Sequence, residues 1–144
     1  MTAKDKQYAD LHAAAHAAGM EAGTVKVPVP MIVGTPSNND TLVSLVIGNT
    51  ADGSDLNIDM SKPTYYVPSG VCGFAWIVIE NGRSGYARWL KKNVRNSHKN
   101  YYGGWAVWVN EFGQSMEQKE AYADAYAKVL KQAGIEASVG SRMD

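Results

Sequence analysis

The apolar positions of this chain fall into blocks of different spacing. Tyr8, Leu11, Ala15 and Ala18 recur at helical intervals, and Thr2 with Asp5 three residues later supplies an N-terminal cap. The opening residues are therefore predicted to form a helix that Gly19 ends. Its stripe is narrow and built largely from small side chains, so it needs a closely approaching partner, and the main sheet is the expected one. Residues 25–33 read as a β-type run in which Pro28 and Pro30 each remove a backbone donor, which suits an edge strand. Polar residues then dominate. Ser37, Asn38, Asn39 and Asp40 read as a loop, residues 42–47 as a strand, Asp52 and Gly53 as a turn, and residues 56–60 as a short alternating strand. Residues 34–66 thus form a polar strand-and-loop excursion.

The second half is patterned more sharply. Residues 71–79 are almost continuously apolar, as a strand covered on both faces requires, so this strand is predicted to be central. Ser84 caps a helix in which Tyr86, Trp89, Leu90 and Val94 form one stripe while Arg88, Lys91, Lys92 and Arg95 point elsewhere. Residues 105–109 form the next strand. Ser115 and Gln118 then make a capping box for a helix with Tyr122, Ala125, Tyr126, Val129, Leu130 and Ala133 on one face. On its other face Asp124 and Lys128 are placed to pair at i,i+4, Gly134 ends it, and residues 135–139 supply a last strand. The predicted class is α/β or α+β: a single domain spanning 1–144, with a mixed β-sheet of about four to six strands. Its C-terminal part runs β-α-β-α-β, with helices packed on the sheet.

Composition refines this picture. A chain of 144 residues buries roughly 68–70% of its unfolded surface when it folds, enough for one core. No run of apolar residues approaches the ~20 that a membrane span needs, and the N-terminal segment lacks the Leu-rich core of a signal peptide. A soluble protein with no membrane partner is expected. One cysteine excludes an internal disulfide. The 14 basic and 14 acidic residues cancel, yet residues 81–110 hold six bases and no acid. The charge is segregated.

That basic window also carries the candidate chemistry. Arg88, Lys91, Lys92, Arg95 and Lys99 are predicted to contact phosphates, and Tyr101 and Tyr102 to stack on bases, while Tyr86, Trp89, Trp105 and Trp108 fall on apolar faces and read as core. Glu111 and Gln114, at a strand end and a helix start, define with Arg142 a candidate pocket by fold analogy alone. His12 and His16 stand at i and i+4 but lack the companions of a metal motif, so no metal is assigned. Cys72, inside an apolar strand, reads as an unreactive thiol, and Ser115 as a cap without the frame of a nucleophile elbow. No catalytic residue and no cofactor is assigned.

The strings CGFAW at 72–76, YYGGWAVWV at 101–109, FGQSMEQKEAYADAYAKVLKQAGIEA at 112–137 and SRMD at 141–144 resemble a widespread family of small, functionally uncharacterised proteins of tailed bacteriophages and prophages. The resemblance covers the last half of the chain and, less closely, the first 33 residues. It implies a viral origin and action in the host bacterial cytoplasm, and no activity. Three functional classes stay open. The first is a non-enzymatic phage accessory protein that binds nucleic acid or another polyanion through the basic aromatic face. The second is a protein-interaction module that modulates a host defence factor. The third is a small enzyme or nucleotide-sequestering protein using the Glu111, Gln114 and Arg142 pocket. Oligomeric state is left open.

Overall fold

A computed structural model of the chain describes residues 2–34, 46–48 and 65–144. The chain runs α1 (Ala3–Val25), β1 (Met31–Gly34), β2 (Val46–Gly48), β3 (Tyr65–Val67), β4 (Gly73–Ile79), α2 (Gly85–Asn93), β5 (Ser97–Lys99), β6 (Trp105–Trp108), α3 (Met116–Gln132) and β7 (Ala137–Met143). Helices and an antiparallel sheet combine in one mixed fold of the predicted class.

The apolar run of β4 dictates the main sheet. It pairs with β6 on one side and with β7 on the other, while β5 lies outside β6, giving the order β5-β6-β4-β7. β4 is central, as its pattern predicts. With side chains alternating along a strand, Ala75, Ile77 and Ile79 point into the core, where none is more than 1% exposed, and Phe74, Trp76 and Val78 fall on the opposite face.

The predicted β-α-β-α-β order gains one strand. β5 has the sequence SHK, which carries no apolar signal. Its presence changes the topology: α2 brings the chain from β4 to β5, and the β5–β6 hairpin turns it back so that β6 lies antiparallel to β4. α3 then delivers β7 to the other side of β4, again antiparallel. Every described pairing is antiparallel, which refines the expected mixed sheet.

Local chemistry sets the helix ends. Ser84 Oγ accepts from Ala87 N at 3.2 Å, Ser115 Oγ accepts from Gln118 N at 3.3 Å, and Thr2 with Asp5 forms a reciprocal capping box. Gly134 stops α3 at φ 83°, where only glycine avoids a Cβ penalty. α3 packs on β4 and β7 on one side and on α1 on the other, burying Leu130 in the core and turning Tyr122 and Tyr126 to His16 and His12 of α1. Among the described residues the one ion pair is Lys6 with Asp10 at 3.7 Å, so Asp124 and Lys128 do not pair. Ordering two long exposed side chains offsets most of what such a pair gains.

α1 departs most from expectation. It continues past Gly19 to Val25 and lies along α3 with a lighter contact to α2, in place of direct packing on the sheet. Gly19 and Gly23 are contact points rather than stops. A Cβ at Gly19 would stand 2.6 Å from the Tyr122 ring, and one at Gly23 2.3 Å from the Phe112 ring. The two aromatics thus occupy the space that missing side chains leave. Phe112 itself holds φ 67°, a strained value for a non-glycine residue that this ring packing retains.

After α1 the chain passes Pro28 and Pro30 before β1 begins, and Val29 N donates to Glu117 Oε2 at 2.6 Å. β1 lies between β2 and β3 in a separate antiparallel sheet, so among the described strands it is central rather than an edge. The prolines precede the strand, which removes the reason for an edge position. β2 overlaps the end of the strand predicted at 42–47. The loop at 37–40, the turn at Asp52 and Gly53 and the strand at 56–60 lie outside the described residues.

Candidate nucleic-acid interface

α2 is amphipathic because its apolar residues recur at helical spacing. Tyr86, Ala87 and Leu90 are buried, and the remaining face is basic. Arg83, Arg88, Lys91, Lys92, Arg95 and Lys99 are all exposed, and none has a carboxylate within 4.0 Å among the described residues. All of these cations except Arg95 line one or both of two recesses. One, of about 470 Å³, includes Lys4, Asp5, Arg88 and Lys92; the other, of about 450 Å³, is lined by Arg83, Lys91, Lys99 and Trp105 with Asn81 and glycines, and by no acid among the described residues.

Lys99 reaches the second recess because β5 pairs it with Trp105. Lys91 Nζ sits 4.8 Å from the Trp105 ring centroid, a cation–π contact that holds the ammonium over the recess. Trp105 also carries the one buried side-chain polar atom without a hydrogen-bond partner among the described residues, its Nε1. An unpaired buried donor is uncommon, and here it belongs to the residue on which the cations converge.

The β5–β6 turn displays the two tyrosines. Gly103 N donates to Asn100 O at 3.2 Å, Asn100 N to Gly104 O at 3.0 Å, and Asn100 Nδ2 to Gly103 O at 2.8 Å. Gly103 and Gly104 take φ 108° and 84°, and the tight turn leaves Tyr101 and Tyr102 at its tip, 91% and 92% exposed. Their rings touch edge to face at 4.9 Å. The tip is anchored, since a Cβ on Gly104 would meet Ile79 O at 2.5 Å.

The sheet face away from the helices holds a larger cleft, of about 810 Å³. Trp76 and Trp108 are cross-strand partners whose rings lie parallel, 5.4 Å apart at 3°. Their aromatic character suggests core in the sequence, yet alternation puts them outside it, with Val107 and Ile77 taking the inward positions. His98 lies 5.8 Å from Trp108. Arg142 stands opposite Phe74 in the β4–β7 register, its guanidinium 5.4 Å from that ring. Lys99, Asn100, Tyr101 and Tyr102 also line it.

The sheet-face cleft does not gather the residues of the predicted pocket. Arg142 lines the sheet-face cleft, and neither Glu111 nor Gln114 does. Glu111 instead influences His12 and Tyr122 on the α1 side, and Gln114 O accepts from Gly73 N at 3.1 Å. Ser115 is 1% exposed and caps α3, which accounts for it. Cys72 is half-buried in a bridge to Ser115.

His12 and His16 face the helices. His12 Nδ1 bonds Tyr126 Oη at 2.7 Å, Tyr126 Oη bonds Tyr86 Oη at 2.6 Å, and His16 Nδ1 bonds Tyr122 Oη at 2.6 Å. Burial, aided by His16 and opposed by Glu111, pushes His12 below its ordinary value of 6.5. Burial raises Tyr86 to about 12 and also raises Tyr122 and Tyr126. The folded state thus favours the neutral forms of His12, Tyr86, Tyr122 and Tyr126. Stability is expected to be full above 6.5, to decline as pH falls from there through the lowered His12 value, and to decline again as pH rises above 10.0 through the raised tyrosine values. Urea midpoints measured from about pH 5 to about pH 11 would check both limbs; a flat acid limb would show that His12 is not held neutral.

No protein-family model, no curated protein and no solved structure matches the chain.

Proposed function

We propose that the chain is a non-enzymatic accessory protein of a tailed phage or prophage that binds nucleic acid in the host cytoplasm through the α2 and β5–β6 surface. One observation carries this reading: six exposed Lys and Arg side chains lie within residues 83–99 with no carboxylate paired to any of them among the described residues. With no such partner among the described residues, these cations are available to phosphates, and two exposed tyrosines beside them offer π-faces to bases. Arg88, Lys91, Lys92, Arg95 and Lys99 would take phosphates, and Tyr101 and Tyr102 would stack.

Salt dependence tests the reading directly. With about five phosphates neutralised, the logarithm of affinity for a single strand should fall with the logarithm of salt concentration at a slope of roughly −3.5. Fluorescence anisotropy of labelled DNA and RNA oligonucleotides measures it. Affinity that does not respond to salt, or no binding at low salt, would reject phosphate contact by α2.

A further inference from the structure

The nucleic-acid reading uses the basic side of the sheet's β5 edge; the other side has its own chemistry. There the cleft presents Trp76, Trp108 and His98 as π-surfaces, with Lys99 and Arg142 as cations, and no acid among the described residues lines it. Its volume of about 810 Å³ falls in the ~300–1,000 Å³ range of sites that enclose small organic ligands. Aromatic walls bordered by positive charge match a flat ring that carries an anion. An unpaired nucleotide has that chemistry. A base inside a duplex does not, because both of its faces are already stacked.

Two further observations tie the cleft to a strand rather than a free nucleotide. Lys99 lines both this cleft and the recess of Arg83, Lys91 and Trp105, so positive charge continues over the β5 edge from one face to the other. Tyr101 and Tyr102, at the tip of the same hairpin, also line the cleft. A chain whose phosphates follow α2 would cross that edge beside them and arrive with its bases over Trp108. The rings are also held in place. Trp76 presses on Gly140, where a Cβ would stand 2.4 Å from the indole, and Trp108 is flanked by Phe74 at 5.4 Å.

The geometry points to the helix-free face of the sheet as a base-stacking platform for single-stranded nucleic acid, with Trp108 and Trp76 receiving unpaired bases and Lys99 and Arg142 receiving the adjoining phosphates. This inference rests on the nucleic-acid reading and specifies the strandedness and the residues that read it. A helix-backed antiparallel sheet that displays aromatic rings is an established physical solution for holding splayed bases. Stacking of this kind is tolerant of sequence.

The test compares oligo-dT of five nucleotides with an abasic deoxyribose-phosphate oligomer carrying the same number of phosphates, each titrated by anisotropy and by intrinsic tryptophan fluorescence. Oligo-dT should bind at least about tenfold more tightly than the abasic chain and quench tryptophan emission. Trp108→Leu should bring oligo-dT down to the abasic affinity and leave the abasic affinity unchanged. Because Trp108 also packs on its neighbours, the exposed pair Tyr101→Ser and Tyr102→Ser provides a second variant that does not touch the core; it should narrow the gap severalfold.

Equal affinity for the two oligomers would overturn the platform while leaving the phosphate reading of α2 intact. A preference for oligo-dT that persists in both variants would also overturn it. A preference for oligo-dT with a salt slope of only about −1.4, that of the two phosphates at Lys99 and Arg142, would support the platform and reject α2 as the phosphate track. Failure of both oligomers to bind at low salt would reject both.

Discussion

Replacing Lys91 and Lys92 together by Glu is expected to weaken single-strand binding by on the order of a hundredfold or more at low salt, because two phosphate contacts are lost and two repulsions replace them. Removing two of about five contacts should also flatten the salt slope from roughly −3.5 to roughly −2. The slope matters more than the affinity, since a misfolded variant would lose both. Some loss of stability is built into the change. Lys91 contributes its contact with Trp105, worth ~0.5–1 kcal/mol at an exposed site, and acids in the last turn of α2 oppose the helix dipole by ~0.3–1 kcal/mol each. Neither effect approaches the stability of a domain of this size, which is of order 5–15 kcal/mol. The folded variant should therefore be measurable, and Lys92→Gln, which keeps the Lys91 contact, controls for the dipole. Unchanged affinity in the double variant would remove α2 from the interface.

Tyr126→Phe should produce the largest loss of stability from the deletion of one atom. The Tyr126 hydroxyl stands between His12 Nδ1 and Tyr86 Oη, and the ring is fully buried. Removing it strands a hydrogen-bonding group on each side, at a cost of ~1–3 kcal/mol per unsatisfied partner. Two such partners, allowing for non-additivity, give ~2–4 kcal/mol and a Tm lower by roughly 6–12 °C. Tyr122→Phe is the comparison, because among the described residues its hydroxyl bonds His16 Nδ1 alone and its loss should cost about half as much. If the two substitutions cost the same, the bridging hydroxyl contributes nothing beyond a single bond. Thermal denaturation near neutral pH followed by circular dichroism reads both.

Much of this fold was written in local pattern. The continuous apolar run of β4, the Ser115 cap and Gly134 stop of α3, and the division of α2 into a buried and a basic face all follow from spacing within one element. What spacing did not convey depends on contact between elements. Gly19 reads as a helix stop because nothing nearby in sequence shows that the Tyr122 ring will lie against it. β5 is three polar residues, and only its pairing with β6 makes it a strand; yet it decides that β6 runs antiparallel to β4. The site divided in the same way. The exposed cations and Tyr101 and Tyr102 were legible, because charge and a glycine-rich turn mark a surface. Trp76 and Trp108 were not, because an aromatic residue in an apolar strand looks the same whichever face carries the helices. One signal was available: strict alternation places Trp76 with Phe74 and Val78, against Ala75, Ile77 and Ile79, so the two faces of β4 differ in character.

The register of β4 with β7 also governs the order in which the protein can assemble. Ile79 pairs with Ala137 and Gly73 with Met143, so the central strand finds this partner only about sixty residues further along the chain, and such distant closures are slow steps in folding. Until then one edge of an apolar strand lacks its partner, the condition under which folding intermediates associate with one another. The same closing step sets Gly140 beneath Trp76 and Arg142 beside Phe74. The aromatic cleft therefore takes shape only at that step, and its tryptophan signal would follow the final stage of folding rather than the collapse of the helices.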